Sequence, residues 1–173
     1  MDEIVNRIMN SDNWPNIELP ENLELLNDMA DDSFSTGTFS GLLSAVLMYH
    51  QLVEAMCVHL LEDCHFLIQL SVHPATIKFT TPKNKMLGTY VNELKESVSF
   101  HKKDEFLEKG TAFNTIRNEA IHKMRKSNLD EVSSNLHDAK QLFDEIFALY
   151  DEIQDDFRVT FHSFKKDVFG DEY

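Results

Sequence analysis

Two cysteines, five glycines and four prolines are all that 173 residues hold of the residue types that staple, bend or break a chain. So little Gly and Pro excludes collagen-like and low-complexity readings and leaves long stretches free for helix. Cys57 and Cys64 lie seven residues apart in one helical pattern. Their Cα atoms are then about 10 Å apart, too far for a disulfide, and both are expected as buried thiols. No C-x-x-C pair occurs, so a zinc site has no basis in the sequence, and no metal or cofactor is expected. Long uncharged apolar runs are lacking too. The longest apolar stretch, from Leu42 to Tyr49, contains Ser44 and gives way to His50, Gln51 and Glu54. That falls short of the ~20 residues of a membrane span, and no membrane partner is expected. The first seven residues, Met1 to Arg7, are acidic where a secretory or mitochondrial signal is basic, so the expected location is the cytoplasm.

What is present describes a helical globular protein. Apolar residues make up 42% and charged ones 27%, with thirteen Phe. A chain of this length forms one domain that buries roughly 70% of its unfolded surface. The expected organisation is a single domain over 1–173, with short helices and a loop over 1–38 and a bundle over 39–173.

The net charge of −14 conceals a reversal of sign. Residues 1–77 hold one Arg against twelve acids (−11), and residues 127–173 hold four basic residues against twelve acids (−8). Between them, residues 78–126 carry eleven Lys or Arg against six acids, a balance of +5. Such a segment either attracts a polyanion or answers acidic neighbours in its own fold.

Hydrophobic periodicity supplies the elements. A short amphipathic helix is expected over 2–10 and another over 21–30, with Asp31 to Thr38 read as turn and cap residues. A long helix follows from Phe39 to Val72, its apolar face marked by Leu42, Val46, Val53, Met56, Leu60 and Leu67 and its polar stripe by Ser44, Gln51, Glu62 and Gln69. Residues 75–80 read as a short strand or an extended loop. Thr81-Pro82 has the form of a cap and first turn for a helix reaching Val98, and a further helix is expected over 104–125. Asn128 and Glu131 resemble a capping box for a long last helix, with apolar positions recurring from Leu136 to Val168. Either that helix wraps its own domain or it extends into a partner. The fold class is all-α, an up-and-down bundle of four to five main helices.

One helix carries a chemical constellation, Arg117-Asn118-Glu119-Ala120-Ile121-His122. With Phe106 at 0°, Phe113, Ala120, Ile121 and Met124 define the buried stripe, and Arg117 falls at roughly 20°, inside it. An Arg there is either paired within the protein or placed on a concave or interfacial surface. Asn118 and His122, at roughly 120° and 160°, flank the stripe. A fixed cation, a polar positioning group and an imidazole are the parts of metal-free RNA cleavage, which needs proton transfer and stabilisation of extra charge on phosphate. One chain supplies one such histidine.

An R-N-x-x-x-H arrangement, late in an all-helical domain and after a long apolar helix, resembles the HEPN superfamily. The resemblance covers about Phe39 to Tyr150 and rests on three specific residues. It implies a helical bundle acting as a homodimer, in which two copies of the motif form a metal-independent endoribonuclease site. Arg117 would bind phosphate, His122 would act as general acid or base, and Asn118 would orient them. It further implies RNA as substrate, a role in toxin-antitoxin or phage-defence systems, and an antitoxin or other protein partner. Members paired with a nucleotidyltransferase antitoxin carry a modified Tyr two residues beyond the His. Met124 stands there in this chain, a departure from that route. Other members are non-catalytic dimerisation or RNA-binding modules, which is the second reading.

Other constellations are weaker. Glu62-Asp63-Cys64-His65 and Glu119-Ala120-Ile121-His122 are E-x-x-H motifs of the kind found in di-iron bundles. Helical geometry turns both toward polar faces, away from where a buried metal pair would sit. His50 and Asp63 fall within the apolar arc of the long helix and are expected as satisfied core hydrogen-bonders, with Glu54 one turn on and able to reach an Arg. His59, His65, His73 and His101 are expected as surface or structural residues. Lys83, Lys85, Lys102 and Lys103 are either phosphate contacts or solvated helix ends.

Overall fold

In the computed structural model, residues 3–15, 21–80, 85–123 and 129–169 are described. They contain six α-helices: α1 (Glu3–Met9), α2 (Glu21–Ser35), α3 (Phe39–Val72), α4 (Leu87–Glu96), α5 (Lys103–Lys123) and α6 (Leu129–Phe169). A 3-10 turn over Ser11–Asn13 follows α1, and no strand occurs among the described residues. The protein is all-α. Residues 75–80 form neither helix nor strand and are held by Gln69, whose Nε2 donates to Ala75 O at 2.7 Å and whose Oε1 accepts from Ile77 N at 2.8 Å. Gln69, expected on the polar stripe, is therefore fully buried.

Helix α3 is the centre, packed against α2, α4, α5 and α6. Its apolar arc, including Leu42, Val46, Val53, Met56 and Leu60, is buried. Each such side chain contributes on the order of 1.5–3 kcal/mol by leaving water. By length and composition α3 is apolar enough to cross a membrane, and half of its most apolar window is buried against its neighbours. Helix α6 answers it with Leu136, Ala139, Phe143, Ile146, Tyr150, Ile153, Phe157 and Phe161, all buried. Tyr49 stacks on Phe143 with ring centroids 4.2 Å apart. Trp14 meets Phe66 and Phe161 edge-on and donates from its indole to Ile8 O at 3.1 Å, which ties the N-terminal segment to both long helices. Cys57 and Cys64 are buried free thiols. Burial pushes the Cys57 thiol up to about 12.

Two boundaries differ from expectation because contacts distant in sequence set them. Helix α2 runs through Asp31–Ser35 instead of ending at Ala30. Asp31 accepts from the Tyr49 hydroxyl at 2.5 Å and faces Lys140 at 3.4 Å, while Phe34 packs on the core. The turn follows at Gly37, in the left-handed region at φ +63°. Gly41 allows the α2–α3 corner to close, since a Cβ there would lie 2.4 Å from Ser33 O. Helix α4 begins at Leu87, five residues beyond Pro82. Thr81, Pro82 and Lys83 lie outside the described residues, as do Met124, Arg125, Lys126 and Asn128.

The ends of α4 are satisfied by its neighbours. Glu54 of α3 accepts from Leu87 N at 2.9 Å, placing a carboxylate at the positive end of the α4 dipole. Lys103 of α5 donates to Lys95 O, Ser97 O and Val98 O at 2.9–3.0 Å, covering the C-terminal carbonyls. Lys103 is 6% exposed, so it is neither a phosphate contact nor a solvated helix end.

Candidate functional site

A polar seam runs where α5 packs on α3, with Asn114, Asn118 and Arg117 on the α5 side and His50 and Glu54 on the α3 side. Phe106, Phe113 and Ala120 are fully buried and fix the rotation of α5. Arg117 follows that stripe as its helical position requires and is half-buried. Its NH1 donates to Asn118 Oδ1 at 2.9 Å, while its Nε is sealed from solvent with no hydrogen-bond partner among the described residues. It makes no ion pair with a described carboxylate.

From Asn118 the seam runs inward. Asn118 Nδ2 donates to Asn114 Oδ1 at 3.5 Å, one helical turn earlier, and Asn114 Oδ1 faces His50 Nε2 at 3.3 Å. His50 Nδ1 lies 3.7 Å from Glu54 Oε1. Glu54 also accepts from Leu87 N and, through Oε2, from Gln51 Nε2 at 3.1 Å. The chain therefore reads Glu54, His50, Asn114, Asn118, Arg117, spanning α3 and α5 beside the start of α4. Asn114 Oδ1 already accepts from Asn118, so the His50 nitrogen facing it is the protonated one. In the neutral ring Nδ1 is then bare, buried and unbonded, facing a carboxylate. Burial holds the His50 pKa below its ordinary value, Glu54 and the bond to Asn114 pull it upward, and Arg117 pushes it down.

The seam joins Arg117 and Asn118 but not His122. That side chain is exposed on α5, about 140° around the helix from Arg117. Glu54 reaches the α4 amide and His50 rather than an Arg. His50, expected as a satisfied core residue, has one satisfied nitrogen. Asn114 went unnoticed in the sequence, although its place one turn before Asn118 was a signal that could have found it.

The other polar groups on α3 serve packing. Asp63 accepts from Gln154 of α6 at 2.8 Å, and burial pushes its carboxyl up to about 6. His59 meets the Tyr150 hydroxyl at 3.1 Å, and His65 stacks on Phe79. Glu62 and Glu119 are exposed. Of the basic segment, Lys102 pairs with Glu152 and Lys109 with Glu145. Lys78, Lys85 and Lys95 are exposed. A separate cavity of about 350 Å³ lies between α3, residues 99–101 and α6, lined by Leu67, Phe100, Ile153 and Phe157 among others. Comparison with known proteins returns no match to this chain, whether with protein-family models, curated proteins or solved structures.

Proposed function

We propose that this protein is a metal-independent endoribonuclease of HEPN type that acts as a homodimer, in a toxin-antitoxin or phage-defence setting. One observation carries the reading: Arg117 is held in the packed face of α5 by an amide instead of a carboxylate, with a buried Nε left unbonded. A guanidinium in a packed face with no carboxylate partner among the described residues is suited to an incoming anion. Phosphodiester is the anion we assign, because Arg117 shares α5 with the exposed His122 and residues 78–126 are net basic.

In a dimer, His122 of one protomer removes the proton from a ribose 2′-hydroxyl. The 2′-oxygen bonds to phosphorus as the bond to the 5′-oxygen breaks. The partner's His122 protonates that leaving oxygen, giving a 2′,3′-cyclic phosphate and a 5′-hydroxyl. Arg117, oriented by Asn118, stabilises the extra charge on the phosphate oxygens. The exposure of His122 and its angular separation from Arg117 favour a second reading, a non-catalytic helical module that dimerises and binds RNA or a protein.

Digestion of single-stranded RNA in EDTA, together with a size measurement, separates the two. The nuclease reading expects cleavage by a dimer and its loss in a still-dimeric His122→Ala variant. Binding without cleavage supports the module. Cleavage that survives His122→Ala refutes the assigned roles.

A further inference from the structure

Among the described residues, three buried side-chain polar atoms lack a hydrogen-bond partner: Asn27 Oδ1, His50 Nδ1 and Arg117 Nε. The last two are the ends of a single hydrogen-bonded chain. His50 Nε2 meets Asn114 Oδ1, Asn114 Oδ1 accepts from Asn118 Nδ2, and Asn118 Oδ1 accepts from Arg117 NH1. Buried polar atoms are nearly always bonded, and two orphans joined by one network mark a cluster left incomplete in the free protein: a proton completes His50 Nδ1, and the half-buried Arg117 guanidinium, its Nε sealed, has its remaining edge to offer an anion.

We propose that the cluster is a proton-linked anion site, in which capture of a phosphodiester by Arg117 is coupled to proton uptake by His50, a positioning residue acting through Asn114 and Asn118. The proposal rests on the reading of Arg117 as the phosphate holder. Protonated His50 gives both of its nitrogens a partner: Nδ1–H forms an ion pair with the Glu54 carboxylate 3.7 Å away while Nε2–H stays on Asn114. Two conditions oppose that state in the free protein, burial and the nearby Arg117 charge. The charged side chains that act on the ring are Glu54 from α3 and Arg117 from α5, and α4 contributes the Leu87 amide that already bonds Glu54. An anion on Arg117 neutralises the opposing cation without touching Glu54, so the proton gains on binding. Linkage is reciprocal, and the anion is held more tightly where His50 is protonated. The charged ring also gives Asn114 a stronger donor, which fixes the orientation in which Asn118 supports Arg117.

The probe is a short 2′-O-methyl oligouridylate, whose phosphodiesters neither titrate between pH 5 and 8 nor undergo cleavage. Ring ¹⁵N–¹H NMR follows the His50 titration with and without it, the signal being assigned by its loss in His50→Gln. The expected result is an upward move of the His50 midpoint by half a unit to one unit, with the oligonucleotide binding more tightly at pH 5.5 than at pH 8 by up to roughly 3- to 10-fold. His50→Gln keeps a donor toward Asn114 and cannot titrate, so it should bind with most of that pH dependence removed. Arg117→Met should raise the His50 midpoint without any ligand. An unmoved wild-type midpoint in the bound state, or undiminished pH dependence in His50→Gln, overturns the proposal. Absence of binding overturns it together with the phosphate role of Arg117. A moved midpoint in a protein that never cleaves RNA upholds the linked site and removes the nuclease reading. Cleavage with an unmoved midpoint does the reverse.

Discussion

Helix α3 turns buried polar groups toward two neighbours, and the two places are built on different terms. Toward α6, Asp63 is bonded by Gln154 and His59 by Tyr150. Toward α5, His50 and Arg117 each keep a buried nitrogen unbonded among the described residues, although three hydrogen-bonding side chains, Glu54, Asn114 and Asn118, lie around them. Since leaving a buried donor or acceptor unmade costs on the order of 1–3 kcal/mol, the first seam is satisfied architecture and the second, left incomplete, is the one to which we assign a ligand. Polar residues in an apolar arc are thus told apart by their satisfaction, not by their burial.

RNA cleavage should separate the two seams most strongly. Arg117→Ala and His122→Ala are each expected to lower it at least ~100-fold, and Asp63→Asn to leave it unchanged, read as initial rates on single-stranded RNA in EDTA.

The next largest effect is on stability against pH. The folded Asp63 carboxyl titrates at about 6 against 3.8 unfolded, so the unfolded state gives up this proton first. Its contribution is complete below pH 4 and is lost as pH rises through about 6, a difference of up to about 3 kcal/mol. Asp63→Asn lacks that loss and should be the more stable chain at pH 7 but not at pH 4, measured by urea unfolding at both. A smaller change is expected for Gln154→Ala, which strands the Asp63 carboxylate and should cost roughly 1–3 kcal/mol at pH 7 in the same assay. Smallest of all, His122→Ala should unfold within about 0.5 kcal/mol of the parent, because its side chain is exposed.

Much of the fold was legible in the sequence, for a physical reason. The limits of α3 follow from a Gly- and Pro-poor apolar stretch closed by Thr38 and His73, and both are local signals. The end of α2 and the start of α4 were misread because Tyr49 with Lys140 and Glu54 decide them from other helices. The site divides in the same way. Arg117 in the buried stripe is a matter of helical angle, whereas its bond to the Asn118 amide, with no carboxylate partner among the described residues, is a matter of side-chain packing that the angle does not give. The link from His50 to Asn114 crosses 64 residues and carries no periodic signature. His122 shows the limit of the wheel, which placed it at the flank of the stripe but gave no partner that would bring it to Arg117.

Whether Arg117 serves a ligand rather than the fold is tested by one variant in two readouts. Arg117→Met keeps the volume and removes the charge, so it is expected to unfold at the same or higher urea concentration than the parent while losing RNA binding and cleavage. A variant that unfolds markedly earlier and still handles RNA as the parent does would contradict the ligand role.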